Sequence, residues 1–456
     1  MRSKSDPSHA FARHIVRARA DALPAATVEA TCRDVLDTLG CMLGGSGAPG
    51  IEMLRKIAAR AGGREEATAL LIGLRVPAQA AALLNGAMAH ALDFDDTHDR
   101  AGAIHPGAPT LAAALAAMEV RGGVSGSEFL LAVALGLDVA CRIALASRQD
   151  RGWHRTAAMG VFGATAASSR LLGLDEEQTR HALGIALSQA AGTRQCIDDG
   201  SMTKRFQAGQ AASAGVLSAM LAAEGFTGAE NTFAGRYGFL ALYQPEDQAN
   251  AERMTDRLGE VWEGDGLSLK PYPCFRPSHP AIDAAVALYR ELELAHSAIA
   301  TVVLETDDGS WQDQLAPGTT RRRPAHVIEA QFSTPFLVAA GLVRGRVSID
   351  DVADVDDARV LELAGKIEGH AVQGKARGWA RLTVTTADGR CATREVTDPS
   401  GSPAAPISEA ALEAKFRDCA RHGVVALPDA AIAATIASVR ALRTAQDARQ
   451  IMAALK

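Results

Sequence analysis

From Pro24 to about Gly225 the apolar positions recur with a helical period in one segment after another, and Gly or Pro punctuates nearly every junction. Ser125-Gly-Ser-Glu128 reads as a capping box opening a helix through Ala146. Thr156 to Leu172 predicts an Ala-rich helix stopped by Gly173. Asp175-Glu-Glu-Gln178 opens a helix ending near Gly192, and Thr203 to Glu224 forms another, closed by Gly225. After about Val261 the period changes. Ala300 to Thr306 is β-branched and reads as a strand. Trp379 to Thr386 alternates, and Asp388-Gly389 offers a tight turn before Ala392 to Val396. Helices are interspersed, for example Pro280 to Leu294, and the helical pattern returns from Ser408, a candidate N-cap. The pattern predicts a mainly α chain: a large all-α domain over 1–265, completed by C-terminal helices at 405–456, and a smaller α+β lid domain at 266–404.

Bulk composition narrows the function classes. The 456 residues exceed one small core. A net charge of -6 supplies no basic footprint, so no nucleic-acid partner is expected. Seven scattered cysteines without a CxxC pair argue against a disulfide framework and a cysteine zinc site, and fit a reducing, cytoplasmic setting. The segment Met1 to Ala20 lacks the apolar region of a signal peptide. No uncharged apolar run reaches the roughly 18 residues of a membrane span, so no membrane partner is expected.

One segment breaks the apolar pattern. His90 to Pro106 places Asp93, Asp95, Asp96 and Asp99 beside His90, His98 and His105, between uncharged flanks at Ala78–Ala89 and Gly107–Met118. Titratable groups are costly to bury unless paired, so a dense acid and imidazole cluster is a candidate site for proton transfer. Three further segments add to it. Gly152-Trp153-His154 precedes a helix, a position that suits anion binding. Lys204 and Arg205 open another helix. Lys270-Pro-Tyr-Pro-Cys274-Phe-Arg276-Pro-Ser-His279 is stiffened by proline. The run Arg321 to Arg323 reads as a solvated surface.

These motifs, in this order, resemble the MmgE/PrpD family. The resemblance rests on Leu92-Asp-Phe-Asp-Asp-Thr-His98, His105-Pro106, Gly152-Trp-His154, Thr203-Lys204 with Ala208-Gly209, Lys270 to His279, and Ala222-Ala-Glu-Gly-Phe-Thr-Gly228. That family includes dehydratases of 2-methylcitrate, decarboxylases of cis-aconitate and epimerases of iminodisuccinate. The resemblance implies an all-α domain with a smaller α+β lid, a homodimer, and neither metal nor organic cofactor. By matching positions it implies catalytic roles for Asp93, His105, His154, Lys204 and Lys270. It also marks Thr97 and His279 as substrate-binding positions; Arg205 and Arg276 are substrate-binding candidates by their charge alone. Two departures stand out. Where the family often reads Phe-Ser-Leu-Pro-Tyr this chain has Phe332-Ser-Thr-Pro-Phe336, without the phenol hydroxyl, and the Thr97–His105 spacing is longer than in the decarboxylases.

The chemistry is coherent on its own terms. A polycarboxylate needs cations, which Lys204 and Lys270 supply. Charge that develops next to a carboxylate needs positioned donors. Histidine moves protons at neutral pH, so His105 and His154 form the expected acid–base pair, with Asp93 orienting an imidazole. The expected function is a cofactor-independent lyase acting on a small di- or tricarboxylate by proton abstraction α to a carboxylate. Dehydration comes first; decarboxylation and epimerisation follow. A non-catalytic, carboxylate-binding homodimer is the alternative from another class. Asp95-Asp-Thr-His-Asp99 also matches DDxxD, a magnesium-binding pattern of isoprenoid enzymes, but no second aspartate-rich motif accompanies it. His90 reads as a satisfied helix histidine, His98 as a neighbour, and Cys274 as structural.

Overall fold

The computed structural model describes residues 6–292, 296–316 and 322–455. The chain is mainly α-helical with a small mixed sheet, and it divides into two compact units. The first comprises residues to Ala91, Asp95–Ser268 and everything from Glu409. The second comprises Leu92–Phe94 and Leu269–Ser408. Arg321 lies outside the described residues.

In the first unit the helices Ala78–Ala89, Gly107–Arg121, Gly126–Ala146, Gly160–Leu172 and Thr203–Ala223 pack on one another. They are rich in alanine, and small side chains let backbones approach. One close approach joins Ala78–Ala89 to Thr203–Ala223. A Cβ on Gly86 would lie 2.9 Å from the Cα of Gly209, and one on Gly209 would lie 2.2 Å from the carbonyl of Leu83. Only glycine fits at both positions. The Gly126–Ala146 helix is long and apolar enough to cross a membrane, yet nearly all of it is buried inside this unit, where Arg142 pairs with Asp138 at 2.8 Å.

Local signals act as physics requires. Asp175 and Gln178 form a complete capping box on Glu176–Leu187. At Gly126–Ala146 the box is half made. Ser125 accepts from the Glu128 N–H, but the Glu128 carboxylate is taken by Arg170. The single helix expected from Thr156 is two, Arg155–Ala158 and Gly160–Leu172, interrupted at Met159.

The second unit is an α+β body. Its sheet runs Ile367–Val372, Ile299–Asp307, Ala380–Thr386, Cys391–Val396; the first pair is parallel and the others antiparallel. Ala380, Leu382, Val384 and Thr386 alternate inward. The first three join a core with the helices His279–Leu292 and Thr334–Arg344. The helix expected to reach Leu294 is described to Leu292. Phe336 is fully buried in this core.

Candidate active site

The Gly86–Gly209 approach sets up the centre of the first unit. His90 caps the C-terminus of Ala78–Ala89, and Lys204 lies in the first turn of Thr203–Ala223. With the glycines in contact, the Lys204 ammonium lies 2.8 Å from His90 Nε2. On the other side His90 Nδ1 lies 2.7 Å from Asp95 Oδ2. An ammonium only donates, so Nε2 must hold the lone pair and Nδ1 the proton. His90 is therefore neutral and bridges a cation to a carboxylate in a buried chain, Lys204–His90–Asp95.

Two more imidazoles pack on this ring. The His105 centroid lies 4.9 Å away, edge-on, and that of His154 5.3 Å away, stacked. His105 Nδ1 is 2.6 Å from the Asp96 carbonyl, which only accepts. His154 Nδ1 is 2.7 Å from Gln207 Oε1, and the Gln207 amide nitrogen is committed to the Thr193 carbonyl. Both histidines thus carry Nδ1–H, which puts the basic lone pair of each neutral ring on Nε2. The helix that His154 caps has only four residues, so its N-terminus is a weaker anion site than the sequence suggested.

Backbone pairing holds the loop between Asp95 and His105. His98 N–H donates to Ile104 O at 2.9 Å, Thr97 exchanges two backbone bonds with Ser268, and Asp99 accepts from the Ser268 hydroxyl. Thr97 is fully buried. Both Asp96 oxygens lie 3.1 Å from the Gly107 N–H. Burial, then the nearby Arg100, holds the His98 imidazole below its ordinary range, in keeping with a structural role. The aspartates of the DDxxD pattern are spent separately, which removes the basis for reading them as one magnesium site. His90, Asp95 and His105 place donor atoms within 4.8 Å of one another. A metal there would have to displace hydrogen-bonded protons and sit beside the Lys204 ammonium, so the arrangement favours proton transfer over ligation.

The second unit gathers the other expected residues. Asp93 adopts a left-handed backbone, with φ of 52°. Its carbonyl accepts from Lys270 Nζ at 2.9 Å, and its carboxylate lies 3.3 Å from the same ammonium. Asp93 therefore pairs with a lysine, and the carboxylate hydrogen-bonded to an imidazole is Asp95. Arg276 donates to the Ser400 carbonyl at 2.9 Å. His279 Nε2 faces the Cys274 carbonyl at 3.3 Å and Nδ1 faces Arg276 at 3.4 Å. Both contacts fit one neutral tautomer. Burial, with Arg276 and Lys270 beside it, pushes this imidazole well below its ordinary pKa. Burial pushes the Cys274 thiol up, which leaves it a poor nucleophile. In the first unit Arg205 donates to the Pro49 carbonyl at 2.9 Å.

Family models match along most of the chain: the MmgE/PrpD N-terminal domain over residues 9–252 and the MmgE/PrpD C-terminal domain over 272–440. The chain belongs to the MmgE/PrpD family. Among curated proteins, the cis-aconitate decarboxylase-like protein oryM of Aspergillus oryzae is 31% identical over 427 residues, 87% of each chain. The cis-aconitate decarboxylase of Aspergillus terreus is 29% identical over 358 residues, 72% of each chain. That of Mus musculus is 27% identical over 367 residues, covering 75% of this chain and 72% of the mouse protein. Within this MmgE/PrpD chain, sequence reasoning read His90 as a satisfied helix histidine and left Asp95 in the candidate cluster without a role; the structure brings the two together. The signal that could have found them is the five-residue spacing from a helix-terminal histidine to a buried aspartate, with a lysine on a glycine-bearing partner helix.

Proposed function

We propose that this protein is a cofactor-independent lyase acting on a small polycarboxylate, with cis-aconitate-like decarboxylation as its first reaction. Sequence reasoning put dehydration first; the names carried by the relatives move decarboxylation ahead of it. The observation that carries the reading is the Lys204–His90–Asp95 chain, with His105 and His154 packed on the central ring and each held with a basic Nε2.

The chemistry follows from those groups. Lys204 supplies positive charge for a substrate carboxylate. Loss of carbon dioxide breaks a carbon–carbon bond and leaves the electron pair delocalised toward a remaining carboxylate, where a positioned cation lowers its energy. His105 or His154, after taking a proton from water at its basic Nε2, delivers that proton to carbon and returns to the neutral Nδ1–H ring. Asp95 and His90 hold the ammonium in place. In the second unit, Asp93 with Lys270, and His279 with Arg276, are proposed as family-type site residues. A homodimer in a cytoplasmic setting belongs to the same proposal, and the homodimer predicts twice the chain mass in light scattering.

The test is proton NMR in D₂O with cis-aconitate and a panel of citrate-, malate- and aspartate-derived acids. A new alkene product from cis-aconitate, carrying deuterium and lost in His105→Ala and His154→Ala, is the expected result. Hydration products or exchange without carbon dioxide release would move the assignment to dehydration or epimerisation. No turnover across the panel, with retained ligand binding, would favour the non-catalytic reading.

A further inference from the structure

Behind the imidazole cluster the first unit encloses more buried carboxyl groups than the Asp95 that this reaction uses. Asp34 and Asp37 lie on the Ala25–Gly45 helix and are 2% and 1% exposed; Asp95 and Asp96 on the loop are 0% exposed. Of these four carboxylates, Asp37 pairs with Lys415 of the Glu409–Arg421 helix at 2.6 Å. Asp95 holds His90, and Asp96 takes the Gly107 N–H. Asp34 is different. Neither of its oxygens meets a hydrogen-bond donor among the described residues. One helical turn on, the Thr38 hydroxyl is equally buried and has no hydrogen-bond partner among the described residues. It faces the same space as Asp96: a Cβ on Gly107 would lie 2.7 Å from Thr38 Oγ1 and 2.6 Å from Asp96 Oδ1.

An ionised carboxylate without a donor is costly in a dry interior, and such a group keeps its proton instead. We propose that Asp34 is a neutral carboxylic acid in the folded protein, a positioning residue whose retained proton relieves the repulsion among the buried carboxylates around it and so fixes the loop that carries Asp95 and His105. Burial pushes Asp34 well above the usual carboxylate range; Asp37 and Asp95 add to this and Lys415 opposes it. Burial, then Asp34 and Asp95, push Asp96 the same way, against the Gly107 N–H. One proton relieves both groups, and the geometry places it on Asp34, because Asp96 already has a donor. Cys141 of the Gly126–Ala146 helix also faces this pair, and burial keeps its thiol neutral.

The pH dependence follows in sign. Unfolded Asp titrates near about 3.9. Above that value the folded state holds one proton more than the unfolded chain. Stability is therefore full below about pH 4 and is lost as pH rises toward the elevated folded value, by up to about ten-fold in the folding constant per pH unit.

Infrared spectroscopy of the full chain at neutral pH tests the proposal, with urea unfolding from about pH 5 to about pH 8. A protonated-carboxyl C=O band in the wild type, absent from Asp34→Asn, is expected, with a shallower pH slope in the variant. No such band in the wild type, or a band and slope unchanged in Asp34→Asn, overturns it. If Asp34→Asn does not fold, Asp96→Asn decides: the band must persist, and its loss would assign the proton to Asp96 and overturn the proposal. The link to catalysis rests on the acid–base reading of His105; the band does not, so the two fail separately.

Discussion

Asp95→Asn is the sharpest probe of the Lys204–His90–Asp95 chain, because it removes a charge and keeps the shape. In the native chain Asp95 Oδ2 accepts the His90 Nδ1 proton at 2.7 Å and Lys204 donates to Nε2 at 2.8 Å. Asparagine has two ways to sit. With its carbonyl toward His90 it keeps the tautomer and exchanges a charge-assisted bond for a neutral one, a loss of about 1 to 1.5 kcal/mol. With its amide toward His90 it forces the proton to Nε2, where it opposes the ammonium, and the Lys204 bond worth about 1.5 to 3 kcal/mol is lost as well. Together these give about 1 to 4.5 kcal/mol, or roughly five-fold to two-thousand-fold in kcat/KM if the chain acts in the rate-limiting step. The assay is the initial rate of alkene formation from cis-aconitate, followed by NMR, with His105→Ala as the inactive reference and Tm as the check on folding. A kcat/KM within three-fold of wild type, with Tm unchanged, would refute the idea that Asp95 orients this imidazole.

Three further outcomes follow from other parts of the molecule. Lys270→Met removes the ammonium beside the buried Asp93 carboxylate and should cost about 3 to 5 kcal/mol by urea denaturation; a double variant with Asp93→Asn should recover part of it. Phe336→Tyr restores the family hydroxyl but places it in the apolar core of the second unit, so it should lower stability by about 1 to 3 kcal/mol with no gain in turnover; a rise in kcat would show that the hydroxyl reaches substrate. Burial, then Arg142, lowers the His14 imidazole to about 4, so between pH 6.5 and 4 the unfolded chain binds the extra proton and stability falls as pH falls. His14→Gln should flatten this acid loss, worth up to about 3 kcal/mol; an unchanged slope in pH-dependent Tm would count against it.

Much of the fold is legible because its signals are local. Asp175 and Gln178 sit three residues apart and close a capping box, and the alternation from Ala380 to Thr386 needs only the strand period to find its inward face. The break at Met159 was hard to read: the run from Thr156 has no Pro, and Gly160 at the junction looks no different from Gly163, which stays helical. The centre of the site was legible in part. Motif matching finds His105, His154 and Lys204. It passes over His90, whose partner Lys204 lies 114 residues away and is delivered by a contact between two glycines. An isolated histidine at a helix end carries no such information.

The stretch from His90 to Gly107 shows why the aspartates of one motif cannot share one role. Asp93 has positive φ, a conformation Asp tolerates better than most residues, and residues 92–94 group with the second unit while Asp95 groups with the first. A reversal at Asp93 therefore separates the partners of consecutive acids. Asp93 takes Lys270, Asp95 takes His90, and Asp96 takes the Gly107 N–H while its carbonyl holds His105. Had all three carboxylates faced one cavity, their mutual repulsion would have drawn in a cation or protons. Distributed this way, two are matched by an ammonium or a neutral imidazole and the third by a backbone amide. The carboxyl left without a donor is Asp34 behind them, and that is where a retained proton should be sought first.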